Sequence, residues 1–163
     1  YKRATELNPD YVDAYNNLGN LYRKIGRSED AIASYNKVIE IDPGFAYTYG
    51  NLGLIYYDAG RYSEAVSLYK KAISLDPNYA YAYNNLGMAY YRIGEYEDAI
   101  RYTKKATEID PEYKAAYFNL AVTYYNNKQF DMAVEYCDKA ITLGYKADPE
   151  FLRLLEPLRR KEE

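Results

Sequence analysis

The chain has 163 residues and a formal net charge of −3 with acids and bases interspersed, so it lacks the strong basic patch that nucleic acid or an anionic membrane surface requires. It contains no histidine and one cysteine, Cys137, which excludes histidine-based bases and triads, cysteine-rich metal centres and an intramolecular disulfide. No apolar run approaches the roughly 18 residues of a membrane span.

One spacing organises the chain. Pro9, Pro43, Pro77 and Pro111 lie 34 residues apart, in Asn8-Pro9, Asp42-Pro43, Asp76-Pro77 and Asp110-Pro111. A fixed period of this length is the signature of an internal structural repeat. Residues 1–9 read as a partial repeat, the tail of a second helix whose partner is missing. Four repeats follow at 12–45, 46–79, 80–113 and 114–147, each predicted as helix, short turn, helix, short turn. In the first, the helices are expected near 11–25 and 28–41. The fourth departs from the pattern: Ala121 replaces a glycine, Lys128 replaces a turn glycine, and no Asp-Pro follows at the expected place. Gly144 is expected to end its second helix, and residues 148–163 to form a capping helix started by Asp148 and Pro149. Phe151, Leu152, Leu155 and Leu158 supply its apolar side, Arg153, Arg159, Arg160 and Lys161 face water, and Pro157 is a candidate kink.

Within one repeat the helical reading rests on periodicity. Tyr83, Leu86, Gly87 and Tyr90 fall at i, i+3, i+4 and i+7, one face of a helix. Ala99, Ile100, Ala106 and Ile109 mark the second helix. Gly94 between them suits a left-handed helix end, and Asp110 before proline is pushed out of the helical region. Gly87 lies mid-helix at a cost of about 1 kcal/mol relative to alanine, and Gly19 and Gly53 share its register. The repeated cost implies close packing, expected against Ala31, Ala65, Ala99 and Ala133 of the partner helices.

The chain holds 24 tyrosines, 4 phenylalanines and no tryptophan. Most tyrosines fall in repeated registers: 15, 49, 83 and 117; 22, 56, 90 and 124; 1, 35 and 69; and Tyr62 and Tyr96, with Phe130, at the second-helix starts. These are expected in the core, with hydroxyls reaching the surface or a carbonyl. Cys137 falls in an apolar stripe and reads as a small buried residue. Acid pairs such as Glu97/Asp98 and Glu29/Asp30 begin second helices and oppose the helix dipole; Lys70/Lys71 and Lys104/Lys105 sit late in them and are read as a solvated face.

The 34-residue period, the Tyr-x-x-Leu-Gly-x-x-Tyr first helix, the Ala-x-x-x-Tyr second helix and the terminal Asp-Pro together resemble the tetratricopeptide repeat (TPR) family over nearly the whole chain. The resemblance implies an all-α fold: a right-handed superhelical solenoid of antiparallel helix pairs, here with a C-terminal capping helix. It also implies a protein-interaction scaffold, not an enzyme, with a concave groove lined by first helices. One subclass clamps acidic chaperone tails with basic first-helix residues. The matching positions here are Asp13, Asn16, Tyr47, Gly50, Tyr81, Asn84, Ala115 and Phe118, none of them basic, which argues against that clamp.

The expected peptide-binding residues follow from register. Asn17, Asn51, Asn85 and Asn119 form an asparagine ladder whose amides could hold a ligand backbone of any sequence. The alternative is that these amides serve contacts between repeats. Tyr47, Tyr81, Tyr57, Tyr91 and Tyr125 are expected aromatic anchors, with Leu54, Met88 and Arg92 beside them. Tyr57 and its equivalents have the alternative of packing between repeats. No cofactor and no metal are expected. The expected partner is a protein or peptide, without nucleic acid or membrane insertion. Self-association through an open N-terminal edge at Ala4 and Leu7 is a further expectation. Rival readings are the repeat segment of a larger enzyme, such as a glycosyltransferase, and a self-assembling scaffold. The expected location is cytoplasmic, although a chain starting at Tyr1 reads as a fragment.

Overall fold

A computed structural model describes residues 11–159. The partial repeat of residues 1–9, its edge at Ala4 and Leu7, and the expected solvent-facing Arg160 and Lys161 lie outside the described residues. The described residues form nine helices and no strand, an all-α fold. The chain divides into two compact units, Tyr1–Pro77 and Asn78–Glu163.

In the N-terminal unit, α1 (Val12–Lys24) pairs with α2 (Ser28–Ile41), and α3 (Ala46–Asp58) with α4 (Tyr62–Leu75). Leu18, Tyr22, Ala31, Tyr35, Leu52 and Ile55 form its core. In the C-terminal unit, α5 (Ala80–Ile93) pairs with α6 (Tyr96–Ile109), and α7 (Lys114–Asn126) with α8 (Phe130–Thr142). The last helix, α9 (Pro149–Arg159), packs on them, and Leu120, Ala121, Tyr124, Ala133, Cys137, Phe151 and Leu155 share one core. Burial of the Cys137 thiol pushes its pKa up, which suits an inert core residue.

The turns between paired helices share one design. A residue with positive φ (Gly26, Gly60, Gly94 or Lys128) lets the next N–H reach back to a helix carbonyl. Arg27 N–H donates to Tyr22 O at 2.8 Å, Arg61 to Tyr56 at 2.9 Å, Glu95 to Tyr90 at 3.0 Å and Gln129 to Tyr124 at 2.9 Å. This ties down helix-end carbonyls that would otherwise lack partners. Second helices end at Asp42, Asp76 and Asp110, all in extended conformation as the following proline demands. Asp148 caps α9, its carboxylate accepting from Glu150 N–H at 3.0 Å. The helix runs through Pro157 to Arg159.

The glycine contact differs from the sequence expectation. A Cβ on Gly19 would lie 2.5 Å from the Tyr35 ring, and one on Gly53 2.6 Å from the Tyr69 ring. In the third repeat a Cβ on Gly87 would meet Thr103 Oγ1 at 2.1 Å and the Ala99 carbonyl at 2.8 Å. The main partner is therefore the residue one turn beyond the alanine. A flat ring or a short side chain fills the space that the missing Cβ leaves.

The lysines late in second helices are also more than a solvated face. Lys71 stands over the Tyr49 ring at 5.8 Å, and Lys139 over Tyr117 at 5.9 Å. Lys104 is half-buried over Tyr124 at 5.6 Å and Tyr136 at 5.9 Å. A hydrogen bond to the Tyr124 hydroxyl, opposed by burial, holds its pKa above the ordinary lysine value.

Candidate functional site

The first helices carry the predicted site. On α5, Tyr81, Asn84, Asn85, Met88, Tyr91 and Arg92 fall at helical spacing along one side. On α7 the same registers hold Ala115, Phe118, Asn119, Val122, Tyr125 and Asn126. The structure joins these two rows through amides. Asn119 Nδ2 donates to Asn84 Oδ1 at 2.9 Å, and Asn84 Nδ2 donates to Asn85 Oδ1 at 3.3 Å. Asn84 is only 5% exposed. Asn85 Nδ2 is buried and has no hydrogen-bond partner among the described residues.

Asn84 is the residue that the ladder reading missed. Its signal was present as the doublets Asn16-Asn17 and Asn84-Asn85. The ladder register marked one asparagine per repeat, whereas the hydrogen bond pairs one residue with the register preceding it on the neighbouring first helix. Tyr113 adjoins this amide cluster. Burial, with Tyr81 and Asp110 adding to it and a hydrogen bond from Asn84 opposing, pushes its phenol up to about 12.

The tyrosines are partly engaged. Tyr81 stacks on Tyr79 at 5.9 Å, and Tyr91 leans on Tyr96 at 5.7 Å. Tyr125 meets Phe130 at 5.5 Å and Phe151 at 5.7 Å, both edge-on. Tyr91 and Tyr125 each pack against the first residue of their own second helix, and Tyr125 also meets Phe151 of α9, beyond its repeat. Tyr81, Asn85, Met88, Tyr91, Asn119 and Tyr125 are half-buried, and Arg92 is exposed.

In the N-terminal unit, α1 and α3 carry the equivalent rows. Asn17, Asn51, Leu54 and Tyr57 are half-buried, while Tyr47 is 50% exposed. Tyr57 meets Tyr62 edge-on at 5.3 Å, and Tyr47 leans on Phe45 at 5.9 Å. Asn20 accepts from the Tyr35 hydroxyl at 2.7 Å, so this face is tied into the core beneath it. Asn16 Oδ1 and Arg23 Nε are buried without hydrogen-bond partners among the described residues. The face charges are few and mixed: Asp13, Arg23, Lys24, Asp58 and Arg92.

Among the described residues, no cluster of histidine, cysteine, aspartate and glutamate could hold a metal ion, and no helix is long and apolar enough to cross a membrane.

Profiles of known families match most of this chain. A tetratricopeptide repeat profile covers residues 12–45, 80–113 and 115–143, and two further TPR profiles cover 53–94 and 34–67. A comparison with curated proteins found no match. Among solved structures, the crystal structure of MamA is 32% identical, with a TM-score of 0.78, covering 88% of this chain and 84% of MamA. PilF of Pseudomonas aeruginosa is 22% identical, with a TM-score of 0.82 and coverage of 90% and 67%. The first TPR of Spaghetti (RPAP3), bound to the HSP90 peptide SRMEEVD, is 24% identical, with a TM-score of 0.69 and coverage of 72% and 93%. The last two likenesses concern the fold alone.

Proposed function

Because the chain belongs to the tetratricopeptide repeat family, whose helix pairs are protein-interaction scaffolds and typically not enzymes, we propose that its first-helix faces bind a segment of a protein partner. The observation that carries this reading is the amide row beside half-buried tyrosines: Asn84, Asn85 and Asn119 next to Tyr81, Met88 and Tyr91. The half-buried amides of Asn85 and Asn119 carry donors and acceptors of the kind that pair with a peptide backbone, which offers one carbonyl per residue. The tyrosines supply rigid amphipathic area of the kind that dominates binding energy. Tyr47, Leu54 and Tyr57, with Asn17 and Asn51, form the equivalent face of the N-terminal unit. The ligand class is a segment of mixed or low charge with apolar or aromatic anchors. The acidic-tail class is disfavoured, because no basic residue stands at the clamp registers.

The test is the double variant Asn51→Ala/Asn85→Ala, measured for both melting and partner affinity. On this reading affinity falls while the melting midpoint holds. Unchanged affinity with lowered stability would assign these amides to packing between repeats.

A further inference from the structure

The last first helix is already occupied, and by a segment of the same chain. Phe118, Val122 and Tyr125 of α7 stand 34 residues after Asn84, Met88 and Tyr91 of α5. They are therefore the same registers on which the proposed function rests. All three pack against the cluster that contains Phe151 and Leu155 of α9. Phe151 is 9% exposed and sits edge-on to Phe118 at 5.4 Å and to Tyr125 at 5.7 Å. Tyr145, just before α9, stacks on Phe118 at 4.6 Å. Leu155, one helical turn after Phe151, is fully buried.

α9 also packs on α8, where Leu155 shares the cluster with Ala133 and Cys137, but its own helical stability is low. It has 11 residues, below the length at which an isolated helix is stable in water. Pro157 lies within it and cannot donate a backbone hydrogen bond. An exposed ion pair joins Arg159 to Asp138, and Leu154 on the outer side is 51% exposed. Surface pairs of this kind contribute little.

We infer that α9 is an internal ligand: Phe118, Val122 and Tyr125 form a seat for an amphipathic helix carrying an aromatic residue followed four positions later by leucine, and α9 competes with such a helix from a partner. This deepens the proposed function by naming the ligand's shape and its anchors, and it rests on that reading of the first-helix registers.

The probe is a labelled peptide of residues 145–159, titrated against the 163-residue chain with binding read by fluorescence anisotropy. The wild-type chain should bind it weakly, because its own α9 is present at high effective concentration. Phe151→Ala in the chain should tighten peptide binding at least tenfold, and the same substitution in the peptide should abolish it. Asp148→Ala weakens α9 through its cap without touching the core, so it should also tighten binding, several-fold. It keeps the test open if Phe151→Ala loses helicity by circular dichroism. Equal, weak binding by wild type and by every folded variant would overturn the inference and leave α9 as a structural cap. Dimerisation of Phe151→Ala without peptide binding would assign the seat to a second copy and also overturn it. Neither result bears on the Asn51→Ala/Asn85→Ala test, since neither residue lies on α7, α8 or α9.

Discussion

Gly53 and Tyr69 pack so closely that a methyl group on the glycine would stand 2.6 Å from the tyrosine ring. The same two registers hold Gly19 and Tyr35, then Gly87 and Thr103, then Ala121 and Cys137. Where the first helix gains a methyl, at Ala121, the second helix carries a side chain much smaller than tyrosine. Close packing makes such a pair change together, because the interior has no room for both groups.

Gly53→Ala alone should destabilise by about 1–3 kcal/mol through overpacking. Tyr69→Cys alone should cost several kcal/mol through the cavity it leaves, on the order of other large-to-small core changes. The double variant should cost clearly less than their sum, because the methyl enters the vacated space. Urea melts of the four proteins measure this, and strict additivity would refute the contact.

Lys128 occupies the left-handed turn position that glycine holds in the other repeats, with φ of 59°. A side chain there costs roughly 1 kcal/mol. Lys128→Gly should therefore stabilise by up to about 1 kcal/mol, less what the unfolded chain gains in freedom. A lower melting midpoint for this variant would contradict the argument.

Asn119 and Asn85 share a register but should behave differently. Asn119→Ala leaves the buried Asn84 oxygen without the 2.9 Å hydrogen bond it accepts, which should cost about 1–3 kcal/mol of stability. Asn85→Ala removes the longer 3.3 Å acceptor of Asn84 Nδ2 and a donor without a partner among the described residues, so it should cost less stability than Asn119→Ala while partner affinity falls. Equal stability losses at the two sites would argue that both are purely structural.

Tyr113 gives the alkaline limb of stability a specific cause. Its phenol is pushed up to about 12, above the ordinary value of 10.0, so the folded chain holds this proton more tightly than the unfolded chain does. The contribution is fully present below pH 10 and is lost as pH rises toward 12. Tyr113→Phe should flatten the fall in stability across that window relative to wild type. An unchanged slope in denaturant melts between pH 10 and 12 would count against it.

Salt should affect partner binding only weakly. The charged residues of the first-helix faces are few and mixed in sign, so long-range attraction is small. A steep loss of affinity between low and physiological salt would instead indicate a charged ligand.

The helices, their ends and the repeat are legible in the order of residues alone. Periodicity places Leu86 and Tyr90 on one face, proline forbids a helix through Asp110, and a left-handed residue must follow the first helix at Gly94. These are local constraints, set by a few neighbouring residues and the stereochemistry of the backbone, so they can be read without a partner. Which residues meet across helices is a matter of three-dimensional packing. Gly53 met Tyr69 rather than Ala65, because the close approach falls one turn further along the partner helix. Asn119 found Asn84 rather than another member of its own ladder, because neighbouring first helices are offset by one register. Tyr125 turned to Phe130 and Phe151, since α9 packs onto α7. Each of these depends on the offset between two helices, a distance of a few ångströms that a one-dimensional period does not contain.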